Sequence, residues 1–286
     1  MRIFAPTLLI LFSFNAMAID LAPLWDFSKP ELSEQRFRAA LPGASADDQL
    51  ILQTQIARTK GMRKDFASAR EVLKDIESKV AEAGPEARAR YFLELGRTYA
   101  SAKHDPAAVT ATAKEQARRA FTTALDIAKA ARLDALAIDA IHMFAFIDAA
   151  PTDQLTWGQA ALAVVLASDQ PAAQKWEASV RNNIGYALHQ LGRYEEALAE
   201  FNQAASIREK GKDAEATRTA NWMVAWTLRA LNRTDEALNI QLRLEREADA
   251  AKQPDPYVFE ELELLYAGKG NKERAAHYAA RKNLKP

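Results

Sequence analysis

Arg181–Lys210, RNNIGYALHQLGRYEEALAEFNQAASIREK, decides the fold. Its apolar and small residues Ile184, Gly185, Leu188, Ala197, Phe201 and Ala204 recur at helical spacing, with a break at Gly192. Glycine takes the left-handed conformation that ends a helix, so the segment predicts two antiparallel helices joined by a tight turn. Tyr194 opens the second helix, and Glu195 and Glu196 fall in its first turn, where carboxylates suit the helix dipole. Gly185 is small where a partner helix must come close, Ala197 is the opposing small contact, and Phe201 fills the gap between the two helices.

Working outward, the pattern repeats. One small residue in each second helix can be placed at Ala69, Ala117, Ala160, Ala197, Ala237 and Ala275, with irregular spacings of 48, 43, 37, 40 and 38 residues. Four positions later stand Leu73, Phe121, Val164, Phe201 and Gln241, the last a poor match for a bulky apolar contact. Seven positions later stand Ile76, Ala124, Ala167, Ala204 and Leu244. Gly192, Asn232 and Gly270 each sit five residues before the small residue, and Gly and Asn tolerate the left-handed stop.

This repeat resembles the tetratricopeptide repeat, and the ending IREK resembles the longer repeats of kinesin light chain-type proteins. The match is strongest over residues 178–210, good over 218–250 through NRTDEAL, and carried over 256–283 by YAGKGNKERAAHYA. Residues 50–82 keep KDFASA, residues 89–131 keep LELGRTYA with a longer connection, and 135–168 are the weakest unit. The resemblance implies an all-α fold: a right-handed α-solenoid of about six helix hairpins over residues 46–286, with a concave face lined by the first helix of each pair. Residues 19–45 are expected to cap its open end through Leu32, Phe37 and Leu41. There, Ser28-Lys29-Pro30-Glu31 matches a capping box, Pro42-Gly43 stops the helix, and Trp25 and Phe27 are candidate anchors.

Composition sets the outer limits. The chain has 286 residues, 49% hydrophobic and 27% charged, as an ordered globular protein does. Basic and acidic residues both number 38, so no overall charge steers it toward nucleic acid or anionic lipid. The absence of cysteine excludes disulfides, thiolate metal sites and a cysteine nucleophile. Residues 1–18, MRIFAPTLLILFSFNAMA, carry Arg2, a short apolar run and Ala16-Met17-Ala18, which together predict a bacterial secretory signal cleaved after Ala18. The expected product is periplasmic or secreted, with no membrane span after cleavage.

No catalytic constellation emerges. His104, His142, His189 and His277 fall in no HExxH motif, and no GxSxG elbow, Walker loop or dinucleotide fingerprint is present. The reading is therefore a non-enzyme with no metal and no cofactor. On the concave face, the resemblance to tetratricopeptide repeats places Ser179, Asn182, Tyr186 and His189 from one unit beside Thr219, Trp222, Trp226 and Arg229 from the next. Asp139, Met143 and Phe146 precede them, and Tyr257, Glu260 and Leu264 follow. Trp222 and Trp226 are one helical turn apart and share a face. They either form an aromatic wall with Tyr186 or pack against the preceding helix. Asn182-Asn183 resembles the paired asparagines that hold a peptide backbone in kinesin light chain-type repeats, although Asn183 can equally bond the neighbouring helix. Arg58 and Arg97 either make the first half of the groove basic or pair with nearby acids.

The expected binding set is Asn182, Asn183, Tyr186, His189, Trp222, Trp226 and Arg229. The expected partner is a protein or extended peptide in the cell envelope. A small-molecule or enzymatic solenoid and a self-assembling envelope protein are the alternatives.

Overall fold

Among the described residues, six antiparallel helix pairs follow one another, preceded by a single helix. The computed structural model describes residues 19–211 and 213–282; the export-signal reading of residues 1–18 lies outside them. Helix α1 (Pro30–Ala40) leads. The pairs are α2 (Ala46–Met62) with α3 (Phe66–Val80), α4 (Pro85–Arg97) with α5 (Ala111–Ala130), and α6 (Asp134–Met143) with α7 (Pro151–Ala167). A short helix α8 (Pro171–Gln174) separates these from α9 (Glu177–Gln190) with α10 (Tyr194–Glu209), α11 (Ala214–Ala230) with α12 (Thr234–Ala250), and α13 (Pro256–Gly268) with α14 (Lys272–Lys282). The described residues contain no strand. The fold is an all-α solenoid, in which each pair packs on its neighbours.

The turns explain why the pairs form. Gly192 (φ 73°), Asn232 (φ 59°) and Gly270 (φ 74°) take the left-handed conformation, as the sequence predicts. The amide of the next residue then reaches back to close the helix: Arg193 to Leu188 O, Arg233 to Leu228 O and Asn271 to Tyr266 O, each at 2.9 Å. The first pair uses the same closure at Lys64 (φ 66°), where Asp65 N meets Lys60 O at 3.0 Å. Lysine carries no sequence signature for this conformation.

Two glycines set the helix spacing within a pair. A Cβ on Gly185 would meet the Phe201 ring at 2.8 Å, and one on Gly96 would meet the Phe121 ring at 2.3 Å. Both rings are fully buried. Where the first helix carries alanine instead, the opposing residue is smaller than Phe: Ala57 goes with Leu73, and Ala225 with Gln241. A methyl on one helix leaves less room for a ring on the other.

The third pair departs from the expected register. Ala160 and Ala167 are exposed and Val164 is half-buried, whereas Ala161, Val165 and Ser168 are buried. The run Gln159–Ala163 offers small residues on several faces, so the alanine pattern does not fix the register there. A 3₁₀ turn at Phe144–Phe146 and the proline start of α7 set it instead.

The leading segment covers the first pair. Phe37 is fully buried, Trp25 stacks on Phe27 at 4.6 Å, and the Trp25 indole N–H donates to Gln55 at 3.3 Å. The expected capping box does not form. Lys29 holds the cap position, and the Ser28 hydroxyl donates to Asp26 instead, at 2.6 Å. Gly43 takes the left-handed stop (φ 84°). No helix among the described residues is long and apolar enough to cross a membrane.

Candidate functional site

The first helices stand side by side: α2 packs on α4, α4 on α6, and α11 on α13. They carry the positions that the sequence assigns to the groove, and the two halves of the row differ.

In the later half, aromatic rings run across α9, α11 and α13. His189 stacks on Trp226 at 3.3 Å between ring centroids, and Tyr186 lies parallel to the same ring at 6.1 Å. Trp226 stacks on Trp222 at 5.8 Å, and Trp222 meets Tyr257 edge-on at 6.4 Å. Tyr257 is 68% exposed and Tyr186 40%, while both tryptophans are half-buried. Trp222 and Trp226 are thus neither fully buried nor fully open, and both pack against other rings of the row. The Trp222 indole N–H and the His189 Nε2 are buried without hydrogen-bond partners. Burial, aided by the Arg229 charge, pushes the His189 pKa down to about 4, so the ring is neutral at pH 7.

The remaining expected residues have mixed positions. The Asn182 amide is half-buried and makes no hydrogen bond among the described residues. Asn183 shares a hydrogen bond with His142 of α6 at 3.2 Å. Arg229 donates twice to the buried Glu261 of α13, at 2.7 and 2.8 Å, so it is a link between repeats before it is a groove cation.

In the earlier half, charges replace rings. Arg97 of α4 donates to both Glu94 on its own helix and Asp139 of α6, and all three are largely buried. Burial is the largest influence on Arg97 and lowers its pKa, but Asp139 and Glu94 together outweigh it and hold the pKa above its ordinary value. Burial likewise raises Asp139, and the two arginines overcome it. The pairing reading therefore holds for Arg97, which hydrogen-bonds both acids, while Arg58 stands 3.6 and 3.9 Å from the same two carboxylates. Arg97–Asp139 and Arg229–Glu261 follow one rule: a cation on one first helix pairs with an acid on the next. Glu261 lies 32 residues from Arg229, and no local pattern marks it.

Among the described residues, no group of three or more His, Cys, Asp or Glu could hold a metal ion. A pocket of about 290 Å³ opens beside Tyr186, walled by Trp157, Gly158, Val180 and Phe146, and a second of about 300 Å³ opens at Arg58.

Residues 176–245 match the tetratricopeptide repeat family model, and they span the aromatic row on α9 and α11. That segment carries tetratricopeptide repeats. The fold is shared with the tetratricopeptide repeat sensor-bearing Signal Transduction ATPase with Numerous Domains protein of Pyrococcus horikoshii, at TM-score 0.69 and 14% identity. That match covers 88% of this chain and 38% of the ATPase, so the repeat chain spans well under half of that protein. BtubC (BKLC) from P. vanneervenii aligns over 94% of each chain at TM-score 0.41 and 13% identity. NprR in complex with its cognate peptide NprX aligns at TM-score 0.45 and 11% identity, over 93% of this chain and 88% of NprR. No curated protein matches the sequence.

Proposed function

We propose that this chain is an exported, non-enzymatic scaffold that binds an extended segment of a protein partner in the bacterial cell envelope. The observation that carries the reading is the aromatic row across three successive first helices, from Tyr186 through Trp226 and Trp222 to Tyr257. Large, rigid rings that keep one side in water give contact area at a small entropy cost, which is how interface anchors work. Asn182, with a free amide beside the row, supplies one donor and one acceptor for a peptide group. The pocket beside Tyr186 takes an apolar side chain of the same segment. Export rests on residues 1–18, whose charged start, apolar run and Ala16-Met17-Ala18 suit signal peptidase. Residues 19–45 act as the cap of the array, through the buried Phe37.

The test is a pull-down from envelope extract, comparing the wild-type protein with a Trp222→Ala/Trp226→Ala variant of unchanged helicity. A partner held by the first and lost by the second supports the assignment. Equal retention by both sinks the aromatic row as the binding site.

A further inference from the structure

The pocket at Arg58 lies in the other half of the row and has a chemistry of its own. Arg58 projects from α2, with its guanidinium carbon 5.6 Å from the Trp25 ring and 5.9 Å from the Phe27 ring, two rings that lie parallel. Its side chain is 27% exposed. Glu94 and Asp139 stand 3.6 and 3.9 Å from its Nη1, beyond hydrogen-bond reach, because Arg97 already holds both. Arg58 thus makes no hydrogen bond among the described residues. A guanidinium has five N–H donors in a fixed fork, and leaving them unmet in a half-enclosed site is unfavourable. Burial, followed by repulsion from Arg97, lowers its pKa, with the two acids opposing.

Charge selects the missing partner. The charged residues lining the pocket are Arg58, Arg97 and Lys103 against Glu94 and Asp139, which leaves one positive charge in excess. His142 adds none, since burial lowers its pKa. One monoanion therefore brings the pocket to neutrality. The fork of Arg58 matches two parallel oxygens, which a carboxylate offers. Apolar walls come from Phe66, backed by the stacked His104 ring at 3.7 Å, and from Met143, Phe146 and Trp176, with Thr98, Ser101 and His142 completing the lining. A volume of about 300 Å³ is at the small end for ligand clefts.

We propose that this pocket is a second binding site, specific for a carboxylate carried on a small apolar body, with Arg58 as the residue that receives the carboxylate. The site does not depend on the aromatic row. A free organic acid and the apolar last residue of a peptide present the same chemistry, and the test separates them.

Calorimetric titrations of the full chain would use phenylbutyrate, phenylbutyramide, acetyl-Ala-Ala-Phe with a free C-terminus, and the C-terminal amide of that peptide. Saturable binding of phenylbutyrate, at least about tenfold tighter than its amide, is expected. Arg58→Gln, checked for an intact melting transition, weakens binding by about tenfold or more. Lys103→Glu reverses one exposed charge and weakens binding by about threefold or more. It decides the matter if Arg58→Gln fails to fold. The Trp222→Ala/Trp226→Ala variant binds phenylbutyrate as wild type does, so this site and the peptide groove fail separately. Binding of phenylbutyrate without the peptide assigns a free acid, and binding of the peptide acid but not its amide assigns a chain terminus. No saturable binding of either acid overturns the proposal, as does equal binding of acid and amide, or unchanged affinity in folded Arg58→Gln and Lys103→Glu.

Discussion

The two halves of the row of first helices use the same repeat positions for opposite chemistry. Arg58 and Arg97 occupy, in the first two pairs, the position that the sequence assigns to the groove, and Tyr186 and Trp226 occupy it in the fourth and fifth. The earlier half is knitted by buried ion pairs, whereas the later half is a stack of half-open rings. What lies behind is alike in both: a glycine or alanine on the first helix goes with a bulkier residue on the second, and a left-handed stop divides the helices of the first, fourth and fifth pairs. In this fold the core sets how the helices pack, and substitution on one helix face sets the chemistry.

The contrast breaks most sharply at Asp139. Asp139→Ala leaves Arg97 with one acid and takes away the farther of the two acids beside Arg58, so the buried Arg97 and the half-enclosed Arg58 share Glu94. An uncompensated buried charge of this kind destabilises by about 3–5 kcal/mol. Trp226→Ala removes a half-buried ring and its stacking on three neighbours, which amounts to about 2 kcal/mol. Urea unfolding of the two variants measures both. Equal losses would erase the energetic distinction between a half knitted by buried ion pairs and a half built of half-buried rings.

A second substitution sharpens the shared background. Gln241 is fully buried on α12, and neither its amide oxygen nor its amide nitrogen has a hydrogen-bond partner. The equivalent residue in the first pair is the buried Leu73, which stands sixteen residues after the buried Ala57 as Gln241 stands sixteen after the buried Ala225. Leucine therefore fits the space, and Gln241→Leu raises stability by about 1–2 kcal/mol by removing unpaired polar atoms from the core. A higher urea midpoint with unchanged slope is the expected result. A lower midpoint would show that the amide is held by something other than the protein's own side chains and backbone.

Much of this was legible in the sequence, and the reason is local. Gly192, Asn232 and Gly270 mark turns because few residues tolerate a positive φ, and the Gly185–Phe201 contact lies within a single hairpin. Lys64 was not legible, since its positive φ is imposed by the helix closure around it. The register of α7 was missed because alanine alone does not distinguish a buried face from a good helix former. At the candidate site, the Trp222–Trp226 spacing exposed the aromatic row. A bond from Asn183 to the neighbouring helix was one open reading, but its partner His142, like the Glu261 partner of Arg229, was hidden, because each partner sits on a different repeat. Pairing across repeats depends on the stacking of hairpins, and no spacing within one hairpin encodes it.

The smallest expected effect tests how enclosed the aromatic row is. His189 has its Nε2 buried without a partner and its pKa pushed down to about 4 by burial and Arg229. Its ordinary value is about 6.5, so between these limits the unfolded chain binds a proton that the folded chain refuses. Stability is therefore fully present above pH 6.5 and falls as the pH drops toward 4. The whole shift corresponds to about 3 kcal/mol, and solvent screening of a ring that is only half enclosed reduces it to about 1 kcal/mol. His189→Phe keeps a flat ring on Trp226 and abolishes the titration. Asp139, with its lowered pKa, loses its contribution in a more acidic window, so the two effects separate. Unfolding free energies measured at intervals across that range should show the wild type declining more steeply than His189→Phe. Parallel curves would mean that the ring sees water freely, and that this end of the row is more open than the stacked geometry makes it.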